Sequence, residues 1–249
     1  MRSQEAKRNP VLRKMIEGLV EALGERLHGV VLYGSAARGD FQSKTSDFNL
    51  IVVLESLDPA SLEAVGPVLK RWRRQGQPLP RLFSPTLIAE SADVFPIEFL
   101  DIRSQRVVLH GRDPFADVEI RLDHLRLQCE KELREKMMRL REGYIEAHGS
   151  SRELRRLLAT SYTTFVALFR GCLHLLGGSV PVHNREVVAA FCEKAGVDRG
   201  AFEAVDRLKR GEQEGTDPKA LFSRYYDALG RAVHAVDRFR PGQGGGGSR

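Results

Sequence analysis

Apolar residues recur at helical spacing across residues 11–28. Leu12, Met15, Ile16, Leu19, Val20, Leu23 and Leu27 mark one face, and His28-Gly29 reads as the stop. Val30-Val31-Leu32-Tyr33 breaks that period; this short β-branched and aromatic run, closed by Gly34, predicts a strand. Leu50-Ile51-Val52-Val53-Leu54 is apolar throughout, the pattern of a strand buried on both faces. Asp58-Pro59 joins a capping side chain to a proline suited to the first helical position. Leu62, Val65, Leu69 and Trp72 then line one face of the helix that follows. Pro78, Pro80 and Pro85 mark a loop. Pro96–Ile102 reads as a third strand and Val107–Leu109 as a fourth, at a sheet edge. Strands and helices alternating in this way predict a small mixed sheet with helices packed on it.

Beyond residue 118 the strand signals stop. Amphipathic patterns predict helices over 122–146, 153–176, 184–194, 201–209 and 219–239, separated by stretches such as Gly149-Ser150-Ser151 and Gly177-Gly178-Ser179. The fold class expected is therefore α+β. A mixed-sheet domain spans 1–118, an all-α helical bundle 119–240, and a Gly-rich tail 241–249.

Composition narrows the function classes. At 249 residues with 42% apolar and 29% charged positions, the chain has enough apolar surface for a real core. Three cysteines, Cys129, Cys172 and Cys192, are too few for a disulfide framework and lack zinc spacing, so they read as reduced thiols in a cytoplasmic protein. MRSQEAKRNP at the start predicts no secretion signal, and no stretch has the apolar length of a membrane span. The net charge of +6 divides unevenly. Residues 1–118 hold 16 Lys+Arg and 15 Asp+Glu (+1), and 119–249 hold 23 and 18 (+5). The run Lys70-Arg71-Trp72-Arg73-Arg74 has its tryptophan on the apolar face with Leu69, so its cations form the wet side of a helix rather than a nucleic-acid patch.

The chemistry concentrates between the first two strands. Gly34 lets a backbone approach a ligand closely. Ser35 offers a hydroxyl and a backbone N–H at the start of a helical turn, where phosphate is favoured. Asp47 stands at the mouth of the second strand and shares a side with the residue two further on, because strand side chains alternate. Two carboxylates there would hold Mg²⁺, and a third from a neighbouring strand would complete a two-metal site.

The ordered set Leu32-Tyr33-Gly34-Ser35-Ala36-Ala37-Arg38-Gly39, eleven residues between Ser35 and Asp47, then Asp47-Phe48-Asn49 leading into Leu50–Leu54, resembles the nucleotidyltransferase superfamily of the DNA polymerase β type. The resemblance covers residues 11–118. The helical half resembles, more loosely, the C-terminal bundles of the aminoglycoside nucleotidyltransferase branch. The resemblance implies transfer of a nucleoside monophosphate from a Mg²⁺-bound nucleoside triphosphate to a hydroxyl acceptor, a small molecule or a protein. It implies that Gly34 and Ser35 cradle the triphosphate and that Asp47 is a metal ligand and catalytic residue. By position, Arg38 is either a phosphate contact or a solvated helix-end arginine, and Lys44, in the loop before Asp47, is a candidate triphosphate contact. The third carboxylate is expected on Pro96–Ile102, where Glu98 and Asp101 have opposite strand parity, so only one can face the site. Glu98, inside the strand between Ile97 and Phe99, is preferred, and the resemblance to the aminoglycoside branch implies that it serves as metal ligand or general base.

One position departs from the pattern: the second aspartate is Asn49, whose amide oxygen can ligate Mg²⁺ but brings no charge. Three readings stay open. The site is active with one well-held metal; or it binds nucleotide as a regulatory or partner-binding module with transfer impaired; or a nearby carboxylate such as Asp40 substitutes. The contacting partners expected are thus a nucleoside triphosphate and an acceptor, with neither nucleic acid nor membrane.

Overall fold

A computed structural model describes residues 3–38, 47–212 and 217–240. The chain divides into two compact units, Met1–Ile120 and Arg121–Arg249.

The first unit runs α1 (Ser3–Arg8), α2 (Pro10–Leu23), β1 (Leu27–Tyr33), α3 (Ser35–Arg38), β2 (Asn49–Leu54), α4 (Pro59–Arg74), β3 (Arg81–Phe83), α5 (Pro85–Glu90), α6 (Pro96–Ser104) and β4 (Arg106–Gly111). The sheet order is β3-β2-β1-β4. β1 is antiparallel to both β2 and β4, and β3 joins β2 in parallel. Because side chains alternate along a strand, β1 and β2 feed two cores. Val30, Leu32, Leu50, Val52 and Leu54 pack with Leu12, Met15 and Leu19 of α2 and Val65, Val68 and Trp72 of α4. Val31, Ile51 and Val53 pack on the other face with Ile88 of α5, Phe99 and Ile102 of α6, and Phe115. Phe99 sets its edge against Phe83 at 6.1 Å and Phe115 at 5.4 Å between ring centroids.

Local chemistry explains most boundaries. Asn9 caps α2 by accepting from the N–H of Val11 and Leu12, and Asp58 caps α4 by accepting from Ser61 N–H at 2.7 Å. The stop of α2 falls earlier than His28-Gly29: the helix ends at Leu23, Gly24 takes φ +56, and Leu27 already belongs to β1.

Two expectations for the sheet are corrected. Pro96–Ile102, which carries Glu98 and Asp101, is not a strand but most of α6. Pro96 supplies a φ suited to the first turn, and the buried residues Pro96, Phe99 and Ile102 fall at a spacing of three, a helical period. The strand-parity choice between Glu98 and Asp101 therefore lapses. The third strand is instead β3, inside the proline-rich stretch read as a loop. The expected edge strand over Val107–Leu109 is present as β4.

In the second unit α7 (Leu122–Glu146), α8 (Ser151–Leu175), α9 (Asn184–Ala195), α10 (Gly200–Lys209) and α11 (Pro218–Arg238) form an all-helical body in which α8 contacts each of the others. Phe165, Phe169, Phe191, Phe202 and Tyr225 fill its centre. Cys129, Cys172 and Cys192 are free and buried. Among the described residues no helix is long and apolar enough to cross a membrane.

Two devices hold the exit of β4. Gly111 has φ +70, and a Cβ there would overlap the carbonyl oxygen of His28. Beyond it, Asp113 accepts from Arg106 Nε at 2.9 Å through both oxygens and from the N–H of Phe115. Partial burial works to raise the Asp113 carboxyl, but the hydrogen bonds from Arg106 and Phe115 and the nearby guanidinium charge outweigh it, leaving it below the ordinary carboxylate value. Gly111→Ala is expected to cost at least about 2 kcal/mol, read as a shifted urea midpoint. A carboxyl depressed in the folded state contributes stability above its unfolded pKa and loses it as pH falls. Asp113→Asn is thus expected to cost about 1–3 kcal/mol at pH 7, with the gap to wild type closing below about pH 4 in denaturation curves.

Candidate functional site

The register of β1 against β2 places Tyr33 opposite Asn49, so the end of one strand and the start of the next form one rung. Gly34 follows at φ +76, and a Cβ there would lie 3.0 Å from the Asn49 Nδ2. Glycine is thus demanded twice at this point, by backbone conformation and by the neighbouring carboxamide. Ser35 opens the single turn of α3, whose Ala36 is buried in the core. The side chains of Ser35 and Arg38 lie outside the described residues, as do Asp40 and Lys44 entirely.

Asp47 is exposed and precedes β2 directly. Phe48, between Asp47 and Asn49, is the fastened residue. Its ring is buried 6.4 Å from that of Trp72, and its backbone N–H donates to Gln77 Oε1 at 2.9 Å. Trp72 Nε1 in turn donates to the carbonyl of Pro78 at 2.7 Å. The C-terminal end of α4 and the turn after it therefore hold the Asp-Phe-Asn segment from behind and leave Asp47 and Asn49 flanking a fixed point. Nothing in the sequence pattern signals Gln77; Trp72 is visible only as a member of an apolar stripe.

Asn49, Ile51 and Val53 alternate onto one face of the sheet, the face that α6 covers through Phe99 and Ile102. Glu98 belongs to the first turn of α6 and is half-buried; both it and Asp101 have polar partners of their own. The strands beside β2 are Leu27–Tyr33 and Arg81–Phe83, and neither carries a carboxylate. Arg81 is a second feature hidden from the sequence. At the start of β3 it pairs with Ile51, and its guanidinium carbon lies 6.0 Å from the centroid of the Tyr33 ring.

The donor set decides what cation would fit. Asp47 and Asn49 offer one carboxylate and one amide oxygen. A Mg²⁺ ion that keeps water and triphosphate oxygens among its ligands fits such a pair, whereas a second adjacent ion would need more carboxylates. Among the described residues no group of three His, Cys, Asp or Glu is placed to hold a metal.

No family model matches the chain, and no curated protein matches it by sequence. A solved structure does match: the crystal structure of spectinomycin adenyltransferase AAD(9) from Enterococcus faecialis with ATP and spectinomycin. The similarity covers 92% of this chain and 98% of that one, with a TM-score of 0.53 and 11% sequence identity. The chain shares the fold of that adenyltransferase. Within that α+β fold, the Gly34–Asn49 rung is where strand, glycine and Asp-Phe-Asn segment meet.

Gln77 gives a local test of how the rung is held. Gln77→Leu removes the acceptor of the Phe48 N–H and is expected to cost about 1 kcal/mol. Gln77→Glu keeps an acceptor and is expected to stay near wild type. Urea denaturation and hydrogen exchange at the Phe48 amide read both.

Proposed function

We propose that the first unit binds a Mg²⁺-bound nucleoside triphosphate at the Gly34–Asp47–Asn49 rim and transfers its nucleoside monophosphate to a hydroxyl acceptor. The observation that carries this reading is the pairing of Tyr33 with Asn49, which sets Gly34, at φ +76, beside the Asp-Phe-Asn segment. Support for the substrate class comes from AAD(9), an adenyltransferase crystallised with ATP and spectinomycin, a nucleotide and a small molecule. A small acceptor is accordingly preferred to a protein, and the cytoplasm is the proposed setting, in keeping with three free buried thiols.

In this reading the backbone at Gly34 and Ser35 lies along the phosphates, and Arg38 and Lys44 supply cationic contacts. Asp47, with the Asn49 amide oxygen, holds the cation. Bound there, Mg²⁺ would neutralise charge on the reacting phosphoryl group. The acceptor oxygen forms a bond to the α-phosphorus, the bond from that phosphorus to the β-phosphate breaks, and pyrophosphate leaves. Glu98, on the helix over the face that Asn49 shares, is the candidate to take the hydroxyl proton.

A second reading, a nucleotide-binding regulatory or partner-binding module without transfer, is favoured by one observation: the charge missing at Asn49 is not restored by a carboxylate on β1 or β3. Calorimetric ATP binding and pyrophosphate release for wild type, Asp47→Asn and Asn49→Asp separate the two. Transfer predicts wild-type release that falls at least about 100-fold in Asp47→Asn. The binding module predicts wild-type binding with no release, and a gain of release in Asn49→Asp. Absence of binding in all three rejects both readings.

A further inference from the structure

We propose that the Arg81 guanidinium is a phosphate anchor of this site, so that polyphosphate binding depends on an arginine where the Asp-x-Asp pattern would rely on a second metal ion. This rests on the reading of the Gly34–Asn49 rim as a triphosphate site.

The geometry follows from the sheet. Tyr33 pairs with Asn49 across β1 and β2, and Ile51 pairs with Arg81 across β2 and β3. Tyr33 and Arg81 thus stand two strands and two residues apart, roughly 12 Å, with β2 between them. Their side chains close that gap to 6.0 Å between guanidinium carbon and ring centroid by reaching toward each other across β2. Between them lie Asn49 and Ile51, whose side chains share the face to which Tyr33 belongs, while Leu50 points to the other. The cation is therefore held over the rung where Gly34 meets the Asn49 carboxamide.

Three further features suit it to an anion. Arg81 is exposed and has no ion pair with a described residue, so its donors are not consumed by a carboxylate. The aromatic ring beneath it limits its rotamers, which reduces the entropy lost when a ligand is gripped. A planar guanidinium also meets phosphate oxygens two at a time. Charge gives the reason for its presence. Of the residues on β1, the Asp47–Asn49 segment and β3, Asp47 is the one carboxylate, and Arg81 offsets its charge. With Asn49 in the second position and no carboxylate on β3, the site is lighter in acid and is compensated by an arginine.

The test is titration calorimetry of ATP and of inorganic tripolyphosphate, each in Mg²⁺ and in excess EDTA. Wild type is expected to bind both ligands in EDTA. Arg81→Ala is expected to weaken binding about tenfold or more in either buffer, and Arg81→Lys to recover part of it, since the charge returns without the fork. Tyr33→Leu is expected to weaken binding less than Arg81→Ala. Arg156→Ala, on α8, serves as the control for bulk charge. Circular dichroism and thermal unfolding confirm that the exposed edge-strand variants are folded. If wild type binds ATP only with Mg²⁺, or if Arg81→Ala binds as tightly as wild type, the proposal is overturned, Arg81 is an edge-strand solubilising residue, and the triphosphate site itself stands. If wild type binds neither ligand in either buffer, the site reading and this proposal fall together.

Discussion

The antiparallel pairing of β1 with β2 is the constraint from which the first unit follows. Its register, from Leu27 opposite Leu54 to Tyr33 opposite Asn49, decides at once which apolar side chains go to each core and which polar ones reach the rim. A slip of one residue would exchange the two faces, sending Ile51 and Val53 toward α2 and α4 and Leu50 and Val52 toward α6. Both faces are buried, so such a slip has no wet side to tolerate it. The position of Asn49 beside Gly34 is held by the packing of every residue behind it.

The rim itself combines few charges with firm support. Asp47 and Asn49 flank Phe48, whose ring and amide are tied to Trp72 and Gln77. Such a segment would give a cation one strong ligand and one weak one, a donor set suited to an ion that arrives already coordinated by phosphate. The adenyltransferase of the same fold shows that this architecture accommodates ATP and a small second ligand in at least one protein.

The parts of this architecture that were legible in the sequence share a property: a residue whose physical role is local. Asp58-Pro59 starts a helix through its own cap, Leu50–Leu54 shows burial on both faces by lacking any polar alternate, and Gly34 takes the positive φ that turns the chain out of β1. The five bundle helices were legible because amphipathic runs of ten residues or more average out single exceptions. Where the role is tertiary, the pattern misled. Three residues of β3 are too few to display a period, and their pairing with β2 is decided by distant chain. Pro96–Ile102 alternates well enough to imitate a strand, yet Phe99 and Ile102 are buried one helical turn apart against Ile51 and Val53. Gln77 and Arg81 had no signature because each acts on a residue more than 25 positions away.

The fastening of Phe48 from behind has a consequence for how such a site can change over time. The residues that keep the rung in place, Trp72, Gln77 and the alternating apolar side chains, are separate from Asn49 and Arg81, which set its charge. Neither Asn49 nor Arg81 is a member of the two apolar cores, so an exchange at either changes the charge of the rim without removing a core side chain. In this sense the rung is a fixed socket whose electrical polarity is inherited separately from its shape.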